Sequence, residues 1–214
     1  AELAAAKVEA ELVAVEDATP GGGLHRRAEE QGADLIVVGS CSHGVIGRVM
    51  LGDDTRAALN GAPCAVAIAA RGYAEHPTPL AKVGVAYNGS EEAKGALTVA
   101  REIAAPTRAE VRAIEVVSIP TYAFTGLVPP AFGETVELML SEGNARMREL
   151  EGAEGRAVYG LAGEELAAFG DEVDLLVVGS RSYGPVKRLV VGSTSDYLER
   201  HARCSLLVLP RPAE

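Results

Sequence analysis

The fold is decided by residues 173–209, which read VDLLVVGSRSYGPVKRLVVGSTSDYLERHARCSLLVL. Residues 33–69, ADLIVVGSCSHGVIGRVMLGDDTRAALNGAPCAVAIA, repeat this stretch at a constant offset of 140 residues without a gap. The identical pairs include Asp34/Asp174, Gly39/Gly179, Ser42/Ser182, Gly52/Gly192 and Cys64/Cys204. A gapless repeat of this length is most simply explained by two copies of one domain in the chain.

The second copy predicts strands and helices in alternation. Residues 175–178 are a short, fully apolar run that enters a Gly-Ser turn, which is typical of a buried parallel strand. Further strands are predicted at 82–87, 111–117, 155–159 and 205–209, with helices at 91–104, 134–150, 164–169 and 193–201. This order predicts a doubly wound parallel sheet of five strands, of the flavodoxin or Rossmann-like type.

The first copy matches only the later part of that pattern. A strand at 9–15 and a helix at 24–31 precede the repeated stretch, and nothing corresponds to residues 82–133. We therefore expect two tandem five-stranded sheets, of which the first lacks its first strand, first helix and second strand. We also expect further residues to precede Ala1, because a doubly wound sheet has its first strand at or near the centre.

The predicted domain boundaries follow from a linker at residues 71–81. Its two prolines fall within three residues and it shows no periodicity, so the domains are predicted at 1–70 and 82–214. The last strands of the two copies, 64–69 and 204–209, are apolar yet end their sheets. We expect them to pair antiparallel, because each would otherwise leave an exposed edge.

Composition excludes several classes of protein. Lys and Arg number 20 against 30 Asp and Glu, a net charge of −10 that argues against nucleic acid as a partner. No apolar stretch approaches the roughly 18–20 residues of a membrane helix. Three cysteines form neither a disulfide framework nor a zinc motif. These features predict a soluble, cytoplasmic protein without a metal site.

Two small-residue turns at the end of the second copy suit a phosphate group. Residues 179–182 (GSRS) follow a strand, and nine residues later 192–194 (GST) open a helix. Small residues let backbone amides approach a phosphate, and a helix N-terminus favours negative charge. A tight turn followed by an ordinary helix cap explains the same residues equally well.

The combined pattern resembles the universal stress protein family. Nucleotide-binding members of that family carry Gly-x-x-Gly, nine residues, and then Gly-Ser or Gly-Thr. Residues 83–97 (VGVAYNGSEEAKGAL) are similar to the first strand and turn of the family. The resemblance covers residues 82–214 and, in truncated form, 9–70, so the chain resembles a tandem member whose two domains imitate a dimer.

The resemblance implies ATP, alone or with Mg²⁺, bound to the second copy. Asn88 and Val116 would lie by the adenine and ribose. The residues implied around the phosphates are Gly179, Ser182, Gly192, Ser193 and Thr194. Two positions depart from the family pattern, because Ser182 replaces its second glycine and Asn88 replaces its usual aspartate.

The first copy is expected to bind no nucleotide. Asp53 stands where the family has Ser or Thr, and a carboxylate there caps the helix and repels phosphate. We identify no catalytic residue, because His43 beside Ser42 on a turn does not form a nucleophile–base arrangement. The resemblance implies a stress-response binding or signalling module. Two alternatives remain, a protein-interaction scaffold that binds no nucleotide and a slow nucleotide hydrolase, and association into a homo-oligomer stays open.

Overall fold

A computed structural model describes residues 9–40, 53–70, 72–73, 79–118, 132–180, 189 and 192–210. These residues form an α/β fold. Its strands are β1 Leu35–Gly39, β2 Ala65–Ala69, β3 Lys82–Ala86, β4 Glu110–Val117, β5 Glu154–Tyr159, β6 Leu175–Gly179 and β7 Ser205–Leu209. Its helices are α1 Pro20–Gln31, α2 Asp53–Leu59, α3 Glu91–Ala104, α4 Phe132–Arg148, α5 Ala162–Phe169 and α6 Ser193–His201.

The strands form one sheet in the order β1-β2-β7-β6-β3-β4-β5. All neighbours run parallel except β2 and β7, which are antiparallel. In that pair Val66 lies opposite Val208 and Ala67 opposite Leu207. Ala67 and Leu207 are equivalent residues of the repeat, so a local twofold axis passes between them.

The sequence predicts two tandem five-stranded sheets whose last strands pair antiparallel. The structure contains that antiparallel pair, but the described residues form one sheet of seven strands. Five of its strands, β3 to β7, come from residues 82–209, and two come from residues 35–69. The sheets merge because β2 and β7 satisfy each other's backbone N–H and C=O groups.

Helices pack on both faces of the sheet around β3 and β6, and side chains alternate between the faces along each strand. On one face Leu176 and Leu206 pack with Phe169 of α5 and Leu198 of α6. On the other face Val83, Val85 and Val177 pack against α3. The apolar strand sequences of the second repeat are thus explained by burial on both sides.

The predicted strand at 9–15 is wrong. Residues 9–18 have no regular structure and are exposed, although they precede helix α1 as β5 precedes α5. The difference has a physical cause, because β5 pairs with β4. No described residues supply a neighbouring strand for residues 9–15, and an isolated extended segment is not stable in water.

No helix within the described ranges combines the length and the apolar character needed to cross a membrane.

Candidate functional site

A cavity of about 440 Å³ lies beyond the carboxyl ends of β3, β4 and β6. This edge of a doubly wound sheet is where ligands bind, because helix N-termini point toward it. Strand ends and helix α5 supply apolar walls, which are formed by Ala86, Ile114, Val116, Ala162, Leu166 and Val178. The rim is polar and is formed by Asn88, Ser90, Glu92, Ser193, Thr194 and Ser195. The cavity can therefore hold a ligand that is apolar at one end and polar at the other.

Most of the residues that the sequence predicts for the site line this one cavity. They come from four separate parts of the chain and are Asn88, Val116, Gly179, Gly192, Ser193 and Thr194. The seventh predicted residue, Ser182, lies outside the described residues. The structure thus brings the predicted residues together, while their contact with a nucleotide stays a prediction.

Asn88 shapes the turn between β3 and α3. Its side-chain oxygen accepts a hydrogen bond from the backbone N–H of Ser90 at 3.1 Å. Gly89 follows with φ +80°, in the left-handed region that favours glycine. Ser90 then caps α3 by accepting from the N–H of Ala93 at 3.3 Å. The Asn88 oxygen is used in the turn, so its NH₂ group is the part that can meet a ligand.

Gly179 lines the cavity and also has a packing role. A Cβ at this position would lie 3.0 Å from both the backbone oxygen and the Cβ of Glu92 in the first turn of α3. Glycine at the end of β6 therefore lets α3 approach the sheet closely. The glycine that opens the family-like motif is required by the fold itself.

Gly192 has a different environment. Its backbone is extended (φ −85°, ψ 170°), and among the described residues a Cβ there would meet no atom within 4 Å. Neither its conformation nor its packing against the described residues requires a glycine. The space beside it belongs to the rim of the cavity.

Helix α6 has no side-chain cap within the described part of the chain. From the sequence, Ser193 and Thr194 are the candidate caps of this helix. In the structure Gly192 occupies the cap position and Ser193 is the first helical residue. The first-turn N–H groups of a helix point outward from its end and have no partner within the helix. Here they open onto the cavity rim, where a bound anion could accept hydrogen bonds from them.

The two helix ends at the cavity carry different charges. Glu91 and Glu92 lie in the first turn of α3. In the first turn of α6, the carboxylate of Asp196 pairs with Arg56 of α2 and with Arg200, whose Nη2 lies 2.9 Å from it. The α6 end is therefore the better place for an anion, because its acidic group is neutralised by two arginines.

Sequence reasoning missed several residues at or beside the cavity. Arg56 and Asp196 are equivalent positions of the repeat, and this relation was the available signal for their pairing. Glu115, a carboxylate within the apolar strand β4, is 6% exposed and is held by Arg146 of α4 through Oε1–Nη2 and Oε2–Nε distances of 2.6 and 3.1 Å. That bond raises the pKa of Arg146. Ala162 and Leu166 carried no signal.

The described cysteines contribute no reactive group. Cys64 and Cys204 are free and buried, as expected for small apolar residues before strands. Burial raises the pKa of Cys204 to about 12, so its thiol stays protonated at neutral pH. Cys41, Ser42 and His43 lie outside the described residues. No group of three or more His, Cys, Asp or Glu among the described side chains is placed to hold a metal ion.

Comparison with known proteins gives the same family that the motifs resemble. The model of the universal stress protein family matches residues 1–70 and 80–210. Universal stress proteins of Mycobacterium tuberculosis and Mycobacterium bovis are each 26% identical to this chain over 206 residues. The match covers 88% of this chain and 68% of each relative.

Solved structures agree on the fold. A universal stress protein from Archaeoglobus fulgidus superposes with a TM-score of 0.70 at 22% identity, covering 99% of this chain and 74% of that protein. A putative universal stress protein from Pseudomonas aeruginosa superposes with a TM-score of 0.66 at 17% identity. The match covers 98% of this chain and 75% of that protein. Because the family model matches most of the sequence, the chain belongs to the universal stress protein family.

Proposed function

We propose that this protein binds an adenine nucleotide, ATP, in the cavity at the carboxyl ends of β3, β4 and β6. In this proposal the protein acts as a binding or signalling module in a stress response, and it does so without catalysis. The observation that carries the proposal is one cavity that joins an apolar chamber to the N-terminus of α6, which no side chain of the described residues caps.

The apolar chamber suits a base. Ile114 and Val116 of β4, Val178 of β6 and Leu166 of α5 form its walls. Flat aromatic ligands gain most of their binding free energy from such surfaces, while a few polar groups fix their orientation. Asn88, on the polar rim at the end of β3, offers its amide NH₂ group to the base or the ribose.

The α6 end suits the phosphates. Gly192 leaves open space at the rim, and Ser193 and Thr194 bring two hydroxyl groups beside the outward-pointing N–H groups. The α3 end is unsuited to phosphates because its first turn is capped by Ser90 and carries two glutamates. We therefore orient the nucleotide with its phosphates toward α6.

A Mg²⁺ ion, if it accompanies ATP, would be held mainly by the phosphates and water, which is the usual coordination of this ion with nucleotides.

We further propose that residues 1–70 and 82–214 are tandem domains joined by the linker 71–81. Their contact would run through β2 and β7, and association of whole chains would be a separate event.

The test is titration calorimetry of the purified chain with ATP, after denaturation and mass analysis have shown whether nucleotide is retained. We expect one nucleotide per chain. Gly192→Val should weaken binding by about tenfold or more, because a side chain at the rim displaces the phosphates from their hydrogen-bond donors. The extended backbone at Gly192 accepts valine, so the variant should fold.

Gly39→Val is the matched control. A Cβ at Gly39 also meets no described atom within 4 Å, but this residue lies at the end of β1 in the other half. It should leave ATP affinity unchanged. A wild-type chain that binds no ATP overturns the proposal, and equal affinity of Gly192→Val and wild type would move the phosphates away from α6.

A further inference from the structure

A second, polar cavity of about 340 Å³ adjoins the first at the N-terminus of α6. The two cavities share Gly192 and Ser193. The second is completed by Asp196 of the same helix and by Arg56 and Asn60 of the first repeat. Two residues of the first repeat, Arg56 and Asn60, thus reach the place where the proposed function puts the phosphates.

We propose that Arg56 binds the phosphate chain of the nucleotide, so that the ligand site is shared between the two repeats and selects nucleotides with several phosphates over nucleosides. This inference rests on the proposed function and adds a residue from the other half of the molecule. Arg56 acts as a binding residue here, and no covalent step is involved.

The position of Arg56 supports this role. Its side chain is 51% exposed, and its guanidinium contacts the Asp196 carboxylate in the first turn of α6. Guanidinium carries five N–H donors in a planar fork, which suits bidentate contact with phosphate oxygens. One carboxylate cannot use all five donors, so the group can face a phosphate while it stays near Asp196.

The charges around α6 favour the same arrangement. Arg56 and Arg200 both pair with Asp196, so this cluster carries one positive charge in excess. The whole chain has a net charge of −10, which makes a local positive cluster the exception. A phosphate chain leaving the first cavity past Ser193 would meet the guanidinium of Arg56 in the second.

The repeat also bears on the number of sites. Arg56 and Asp196 are equivalent residues, and the local twofold axis lies between their halves. The pair therefore stands in the same relation to a matching site in the first repeat and does not by itself distinguish the two sites. The first repeat differs at the position equivalent to Ser193, where the sequence has the acidic Asp53, so we expect one nucleotide per chain, in the second repeat.

The experiment compares ATP, AMP and adenosine by titration calorimetry on the full chain, using wild type, Arg56→Gln and Arg56→Lys. We expect Arg56→Gln to weaken ATP binding by about tenfold or more, as loss of a charge-assisted contact does, while adenosine affinity stays constant. AMP should lose less than ATP. Arg56→Lys should restore part of the ATP affinity because it keeps the charge but loses the fork.

Arg203→Gln is the matched control. Arg203 is 52% exposed and pairs with Asp171 at 3.2 Å, so its loss removes one charge from a comparable surface pair that lines neither cavity. It should leave the ratio of ATP to adenosine affinity unchanged. Urea unfolding of each variant shows whether folding is intact.

Three outcomes would overturn the inference. In the first, ATP affinity is equal in Arg56→Gln and wild type. In the second, Arg56→Gln loses adenosine and ATP binding alike, which would indicate a purely structural role. In the third, wild type binds neither ligand, which refutes the proposed function as well, whereas the first two leave that function standing.

Discussion

Strands β1 and β6 have nearly the same sequence, LIVVG and LLVVG, but different environments. Val37 in β1 is 65% exposed, whereas its repeat equivalent Val177 in β6 is 0% exposed. Leu35 is also exposed, while its equivalent Leu175 is partly buried. Burial therefore differs between two copies of the same local sequence.

The difference lies in the neighbours. Strand β6 has β7 on one side and β3 on the other, and α3 packs over it. Strand β1 pairs with β2 and is the outermost strand of the sheet formed by the described residues. A fully apolar strand is thus compatible with a central or an edge position, and tertiary partners decide which it takes.

We expect the largest difference in stability between the two strands when aspartate replaces the equivalent residues Val177 and Val37. Val177→Asp should cost about 4 kcal/mol or more, because it places a carboxylate in the core without a partner. Val37→Asp should stay within about 0.5 kcal/mol, as expected for an exposed site. Urea unfolding of both variants measures the difference. Equal losses would show that the outer face of β1 is covered in solution.

A smaller effect is expected at the glycines that end these strands. Gly179→Ala should destabilise the protein by about 1–2 kcal/mol, because the added Cβ presses on the backbone of Glu92. Gly39→Ala should be neutral or stabilising by up to about 1 kcal/mol, because its Cβ meets no described atom and alanine restricts the unfolded chain. Thermal unfolding of the pair distinguishes them, and a loss at Gly39 as large as at Gly179 contradicts the packing argument.

The smallest effect concerns the ends of helices α1 and α5. Helix α1 ends at Gly32, whose φ is +59°. The residue equivalent to Gly32 in the second repeat is Glu172, which follows α5. Its carboxylate pairs with the guanidinium of Arg156 of β5 at 2.9 and 2.5 Å. Arg156 lowers the pKa of Glu172. Because the pair is more than a third exposed, Glu172→Gln should cost less than about 1 kcal/mol at neutral pH.

The pH dependence of that small term has a definite sign. A carboxyl whose pKa is lower in the folded state contributes stability above its unfolded pKa, and this stability is lost as pH falls through the lowered value. The difference in urea midpoint between wild type and Glu172→Gln should therefore shrink on acidification. A difference that grows in acid would contradict the assignment.

Much of the fold was accessible from sequence because it rests on local patterns. The five strands of residues 82–209 lie between turn signals, β6 and β7 are apolar runs, and the structure contains all five. The strand at 9–15 failed because pairing depends on a neighbour that local sequence does not encode. The antiparallel contact between β2 and β7 was predictable although the strands are distant in sequence, because each apolar last strand would otherwise leave an exposed edge.

The candidate site was likewise predictable from sequence where it rests on local patterns, and not where it rests on contacts between distant residues. Motif spacing located Gly192, Ser193 and Thr194, since a turn before a helix is a local feature. It did not reveal that Gly179 also packs against Glu92, some 90 positions earlier in the chain. It also missed Arg56, because the contact of Arg56 with α6 joins distant parts of the chain and local spacing does not encode it.

The antiparallel ladder between β2 and β7 has a consequence for how the molecule opens. Most two-part proteins meet at side-chain surfaces that separate while each part stays folded. Here the junction is made of main-chain hydrogen bonds between strands whose apolar side chains, such as Val66 and Leu206, are fully buried. Separating the parts would expose the core of both. We therefore expect the junction to be among the last structure lost on unfolding, and β1 and β2 to unfold together with β3 to β7 as one cooperative unit.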